Sequence, residues 1–190
     1  MDKCALSNLA TRDSCIRGPL VAWLKAQHPD DGSTGVIQEL KMPRPSARID
    51  LAVVNGELAG FEIKSDADTL KRLRVQVPAF SRFFDRVSVV TTRKHLCKTE
   101  RCVPDWWGII LYQADDEFRV HRRARQNRCK DIRALLYALS KSEIAELASR
   151  ASSAIPKGKK DAMVEVVAYT VSHRVICDHA RDIIRLRAQA

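Results

Sequence analysis

Residues 48–64 read RIDLAVVNGELAGFEIK, and this stretch decides the fold. Two runs, 48–54 and 58–64, alternate with period two and flank Asn55-Gly56, the pattern of a β-hairpin. Two registers compete. A two-residue turn pairs Val54 with Glu57 and sets apolar residues opposite polar ones. A three-residue loop pairs Val54 with Leu58. It then places Ile49 opposite Ile63, Leu51 opposite Phe61, and Val53 opposite Ala59 on one apolar face. Sliding a strand by one residue moves every side chain to the other face, so burial selects the second register. Gly56 supplies the positive φ that such a loop needs.

In that register the opposite face pairs Arg48 with Lys64, Asp50 with Glu62, and Ala52 with Gly60. Asp50 and Glu62 become cross-strand neighbours with Cβ atoms about 5 Å apart. Lys64 follows two residues later on the same face. Two carboxylates held so close repel unless a cation lies between them. Mg²⁺ takes oxygen ligands, accepts one or two carboxylates, and fills its shell with water and phosphate. A lysine beside it positions or deprotonates a water, or stabilises charge on a phosphate. The same residues would also make an ordinary solvated strand face with salt bridges.

Outward from the hairpin, residues 14–28 carry Ile16, Leu20, Trp23 and Leu24 on one helical face, weakened at Gly18-Pro19. PDDGSTG (29–35) is a loop by composition. VIQEL (36–40) reads as a strand, and KMPRPSA (41–47) as a connection. Residues 66–84 read as a helix capped by Asp66 or Asp68, with Leu70, Leu73, Val77, Phe80 and Phe84 on one face and a break at Pro78. VSVVTT (87–92) is a buried strand. Two more strands, 107–113 and 117–121, flank Asp115-Asp116. From Cys129 the pattern is helical, broken near Ile155-Pro156. The expected architecture is α/β, with a central mixed sheet flanked by helices in residues 1–128 and a helical C-terminal subdomain in residues 129–190.

The chain has 190 residues, of which 45% are hydrophobic and 29% charged, with a net charge of +10. The excess is uneven: −1 over residues 1–63, +8 over 64–133 and +3 over 134–190. Such asymmetry points to a polyanion. Residues 119–133 (RVHRRARQNRCKDIR) hold seven basic residues against one acid. Among them Arg122, Arg123, Arg125 and Arg128 are candidates to neutralise phosphates. The start has no long apolar run, and no 18 consecutive apolar residues occur. A soluble, cytoplasmic protein without a membrane partner is expected, its six scattered cysteines reduced. His95, Cys97 and Cys102 offer three ligands where a closed zinc site takes four, so zinc is not expected. Trp106-Trp107 reads as packing at a strand end.

Asp50, eleven intervening residues, then Glu62-Ile63-Lys64 resembles the D-x(n)-ExK core of the PD-(D/E)XK nuclease superfamily. That superfamily includes restriction endonucleases, RecB-like exonucleases and Holliday junction resolvases. The resemblance covers roughly residues 12–92. It implies a restriction-endonuclease-like core and a DNA nuclease using Mg²⁺ or Mn²⁺. Asp50, Glu62 and the Ile63 carbonyl would be metal ligands and Lys64 the catalytic lysine. Glu39 matches an extra upstream acid that several members use in the metal site. Gln76-x3-Phe80 is similar to the Q-x3-Y element of RecB-like members, with phenylalanine in place of tyrosine. Isoleucine stands where the family has proline before Asp50. Arg48, Arg72 and Arg74 would approach phosphate. The alternative is a nucleic-acid-binding protein that keeps the fold without turnover.

The segment 131–171 loosely resembles a SAP-like helix–loop–helix that binds DNA backbone. Ser140 and Glu143 have capping-box spacing there, and Lys157, Lys159 and Lys160 lie near the second helix's start. A plain helical hairpin covering the sheet fits the same residues. Nucleases that cut both strands are commonly dimers, so a homodimer is one expected arrangement.

Overall fold

The hairpin closes in the register that burial selects, but the expected pairs Ile49–Ile63, Asp50–Glu62 and Arg48–Lys64 are not part of the ladder. Strands β2 (Ser46–Val54) and β3 (Leu58–Lys64) pair antiparallel from Val54↔Leu58 to Leu51↔Phe61. Gly56 takes φ +84° in the loop between them, and the Asn55 N–H donates to the Glu57 carbonyl. The computed structural model describes residues 10–28, 32–154 and 158–189.

Six strands form one sheet in sequence order. β1 (Gly35–Pro43), β2 and β3 are an antiparallel meander. β4 (Arg86–Thr91) runs parallel to β3, β5 (Gly108–Tyr112) runs parallel to β4, and β6 (Phe118–Arg122) returns antiparallel. Parallel neighbours need crossovers. These are helix α2 (Leu73–Phe83), entered through a 3-10 turn at Leu70–Arg72, and helix α3 (Leu96–Cys102). The molecule is therefore α/β, with a mixed sheet flanked by helices.

Three local readings change. The 41–47 connection is a tight turn: β1 runs to Pro43, β2 starts at Ser46, and a cis Arg44-Pro45 peptide joins them. The helix expected from residue 66 begins later, because the Asp66 carboxylate is engaged by Thr92 and the Thr11 N–H, while Asp68 accepts from Ser65. Helix α1 (Asp13–Ala26) runs through Pro19. Proline lacks the N–H that would bond the carbonyl four residues back. That carbonyl, of Cys15, faces the Tyr112 hydroxyl at 3.4 Å.

Helix α1 covers one face of the sheet, burying Ile16, Leu20 and Leu24 against Leu51, Val53, Ile63, Val90 and Ile110. The other face carries α2, α3 and four C-terminal helices, α4 (Ile132–Ala138), α5 (Lys141–Arg150), α6 (Lys160–Thr170) and α7 (His173–Gln189). Leu135, Val164, Ile176 and Ile184 join one cluster with Ile49, Phe80 and Trp107, so residues 129–190 share a core with the sheet. Trp107 is fully buried and stacked on Phe80, as a packing residue.

The hairpin thus contributes to a core on each face of the sheet. Ile49 also changes sides: it belongs to the α2 face, whereas Leu51 and Val53 pack under α1. The cause lies next door. Glu39 on β1 has φ +56°, and the β1–β2 ladder pairs Gln38↔Leu51 and Leu40↔Ile49 without a Glu39–Asp50 pair. A left-handed residue costs on the order of 1–2 kcal/mol in a non-glycine. Here it resets the inside–outside alternation of both strands. Val36 faces α1, but Leu40 and Met42 face the other core.

Candidate active site

β2 and β3 stop pairing after Leu51↔Phe61, and Asp50 fills the opening. Its Oδ2 accepts the Ile63 backbone N–H at 2.7 Å. A carboxylate therefore stands where a strand carbonyl would be. On β3, Glu62 and Lys64 are 2% and 5% exposed. Glu62 Oε1 accepts from Lys64 Nζ at 2.5 Å and from Gln76 Nε2, on α2, at 2.6 Å. Glu62 Oε2 and Gln76 Oε1 are buried without a hydrogen-bond partner among the described residues.

Two buried acceptors lacking a donor are costly. They mark a place for a donor or a cation. Burial pushes the Glu62 carboxyl up to about 7, against the pull of Lys64 and with a further push from Asp50. The donor set is all oxygen, which suits a hard divalent ion. The fit is partial: among the described residues no group of three or more His, Cys, Asp or Glu gathers as a metal centre.

Glu39, the extra upstream acid that the resemblance implies, is engaged by Arg17. This α1 residue sends Nη1 to Glu39 Oε1 at 2.9 Å and Nη2 to Asp50 Oδ1 at 2.9 Å. It also holds Asp13 one helical turn away and donates to the Asp50 carbonyl. Glu39 meets a second guanidinium, Arg48, at 2.6 Å. Arg48 thus pairs across to β1 and is not a neighbour of Lys64. Sequence reasoning missed Arg17. Its only signal was an i,i+4 pair with Asp13 on the helix preceding the hairpin.

The remaining candidates divide by position. Phe80 is wholly buried between Phe84 and Trp107, so only Gln76 of the Gln76-x3-Phe80 pair reaches the carboxylate. Arg72 and Arg74 are exposed on opposite sides of the α2 start. Arg72 shares a groove of about 670 Å³ with Lys41 and Arg48, and Arg74 a separate one of about 680 Å³. Arg122 turns inward and donates to the Trp107 and Pro104 carbonyls. Arg123, Arg125 and Arg128 are exposed. Their segment lies where β4 begins, since the Asn127 N–H donates to the Asp85 carbonyl and Lys130 pairs with Asp85. Lys64 pairs with Thr91 at the far end of the same strands. Five residues of strand put about 17 Å between the two ends. The basic stretch thus lies at the end of the sheet away from Lys64.

In the C-terminal helices, Ser140 and Glu143 form the expected capping box. Lys160 Nζ donates to the Tyr137 carbonyl, Lys159 is exposed, and Lys157 lies outside the described residues. Cys97 is exposed and His95 buried, with no metal cluster around them among the described residues. No helix among the described residues is long and apolar enough to cross a membrane.

Comparison with known proteins gives a distant structural likeness and a family. A protein of unknown function from Silicibacter pomeroyi, SPO1766, is 16% identical, with 94% of each chain covered and a TM-score of 0.45; at that level nothing is carried over. Protein cII of Enterobacteria phage P4 is 31% identical over 141 residues, 72% of this chain and 52% of that protein. The chain therefore spans about half the length of this curated relative. Neither name states an activity. Residues 8–190 match the family described as bacteriophage P4 protein cII, and the chain belongs to that family.

Proposed function

We propose that this chain is a divalent-metal-dependent nuclease that hydrolyses phosphodiester bonds in DNA. The observation that carries the reading is the buried Glu62–Lys64–Gln76 cluster, with two unpartnered acceptor oxygens, beside Asp50 where β2 and β3 part. The run α1–β1–β2–β3–α2–β4 is consistent with the restriction-endonuclease-like core that the sequence resemblance implies.

Asp50 and Glu62 would hold Mg²⁺ or Mn²⁺, with the carbonyl of Ile63, the residue whose N–H anchors Asp50. A bound Mg²⁺ supplies a Lewis acid for the phosphate and lowers the pKa of a bound water. The protein's own groups do the rest. Lys64 gives one of its three ammonium donors to Glu62, leaving two for a phosphate oxygen or a water. That favours positioning and charge stabilisation over proton abstraction. Gln76 fixes the Glu62 carboxylate and keeps an acceptor free beside it.

The test is cleavage of plasmid and oligonucleotide DNA with Mg²⁺ or Mn²⁺. Asp50→Ala and Lys64→Ala should each lose about a hundredfold or more in rate while staying folded. A wild-type protein that cuts no DNA with either metal, or a Lys64→Ala variant that cuts normally, would end the proposal. One observation favours the second reading, a non-catalytic nucleic-acid-binding protein: the Arg17 guanidinium sits on Asp50 as a built-in cation. Calorimetric titration with Mn²⁺ separates the two, because the non-catalytic protein has no affinity that Asp50→Ala removes.

A further inference from the structure

The two parallel strands that end at Lys64 and Thr91 feed the two walls of a groove. One wall is the segment from Asp68 to Arg74, and the other runs from Lys94 to Cys102 through α3. Open α/β sheets bind ligands outside the carboxyl ends of their strands, where loops diverge and backbone groups are free. This groove occupies that position, directly beyond the Glu62–Lys64 cluster along the chain.

Its lining is strongly basic. Lys71, Arg74, Lys94, Lys98 and Arg101 line it against the single acid Asp68, in a volume of about 680 Å³. All five are exposed, and none has an ion pair among the described residues. Lys94 Nζ does donate to the Asp66 backbone carbonyl, and other exposed cations such as Arg123, Arg125 and Arg128 also lack ion pairs among the described residues. Arg82, Arg86, Lys130 and Arg133 all meet carboxylates. His95 also lines the groove at 8% exposure, with its Nε2 unpartnered among the described residues. Unpaired cations along a groove attract a polymer of regularly spaced anions, since each contact releases a condensed counterion.

We infer that this groove holds the sugar–phosphate backbone of the nucleic acid next to the phosphate presented to Glu62 and Lys64. The inference deepens the nuclease reading and rests on it for what happens to the bound strand. Binding itself does not depend on it. Phosphate contact of this kind positions the polymer without reading its sequence.

The test is anisotropy of short fluorescent single-stranded and duplex oligodeoxynucleotides in EDTA, as a function of salt. The variant Lys71→Ala/Arg74→Ala/Lys98→Ala/Arg101→Ala should bind about tenfold or more weakly, with a salt slope shallower by about 2 to 4. The pairs Lys71→Ala/Arg74→Ala and Lys98→Ala/Arg101→Ala should each give part of that loss if the fourfold variant folds poorly. Normal binding by these variants would overturn the inference. So would a larger loss in Arg123→Ala/Arg125→Ala/Arg128→Ala, polyglutamate competing as well as DNA, or a wild-type protein that binds no oligonucleotide. Groove-dependent binding without any cleavage in Mg²⁺ or Mn²⁺ would uphold the groove and end the nuclease reading.

Discussion

Arg17 Nη2 stands 2.9 Å from Asp50 Oδ1, and the same guanidinium reaches Glu39. A fixed positive charge thus lies between Asp50 and Glu39, the extra upstream acid that the resemblance implies. Arg17 neutralises Asp50 and repels any ion approaching it. Its other role is mechanical, tying α1 to the point where β2 leaves β3.

Removing that charge should change metal affinity in a definite direction. Arg17→Met keeps an apolar stem under α1 and frees an oxygen of Asp50. Mn²⁺ should bind about tenfold more tightly, roughly 1.4 kcal/mol, as read by calorimetry. Unchanged or weaker Mn²⁺ binding in a folded variant would mean that Arg17 does not compete with the ion.

The buried pair predicts a double-mutant cycle. Either Glu62→Met or Lys64→Met leaves the other charge buried without its partner, which costs about 3–5 kcal/mol. Removing both should restore stability to within about 1 kcal/mol of wild type, because a buried pair is about as stable as an apolar replacement. Urea unfolding at pH 8 measures all four proteins. Additive losses would contradict the contact at 2.5 Å.

The hairpin was legible because its alternation left one register that burial accepts, and the six strands followed from β-branched runs and turn residues. What the residues could not reveal were relationships across distant segments. Arg17 and Asp50 are 33 residues apart and meet only once α1 lies on the sheet. The change of side at Ile49 accompanies the positive φ of Glu39, which adjoins Ile49's partner Leu40 on the neighbouring strand and is ten residues away in sequence. Charge density pointed to the 119–133 cluster, which lies at the end of the sheet away from Lys64. The 119–133 cluster is dense in sequence but is spent partly on Trp107, Pro104 and Asp85, whereas the cations that line the groove come from two modest segments, 71–74 and 94–101.

Protonation of Glu62 gives a pH signature. Burial raises its carboxyl from 4.5 to about 7, so the folded chain retains a proton that the unfolded chain has lost between those values. Stability without metal should therefore fall as pH rises from 4.5 to about 7, by at most about 3 kcal/mol. A divalent ion needs the carboxylate ionised. Mn²⁺ affinity should rise up to about tenfold per pH unit below about 7 and level off above it. Calorimetry between about pH 5 and about pH 8 would show this. A flat profile would mean that Glu62 is not a ligand.

Gly108 offers a test of the fold apart from any activity. A Cβ there would lie 2.9 Å from the Ala124 backbone nitrogen and closer still to the Ser88 hydroxyl. Gly108→Ala should lower stability by about 1–3 kcal/mol, read as a drop in thermal midpoint. An unchanged midpoint would show that the segment after β6 is free to move away from β5.

Because the basic groove is walled by the segments that leave β3 and β4, its outline can change without disturbing the sheet. Swapping residues 67–72, or the turn between Thr92 and Leu96, alters length and charge at the rim while the Glu62–Gln76 contact stays seated on strand and helix. Editing these two short stretches of chain would therefore reshape the groove without touching the buried cluster beneath it.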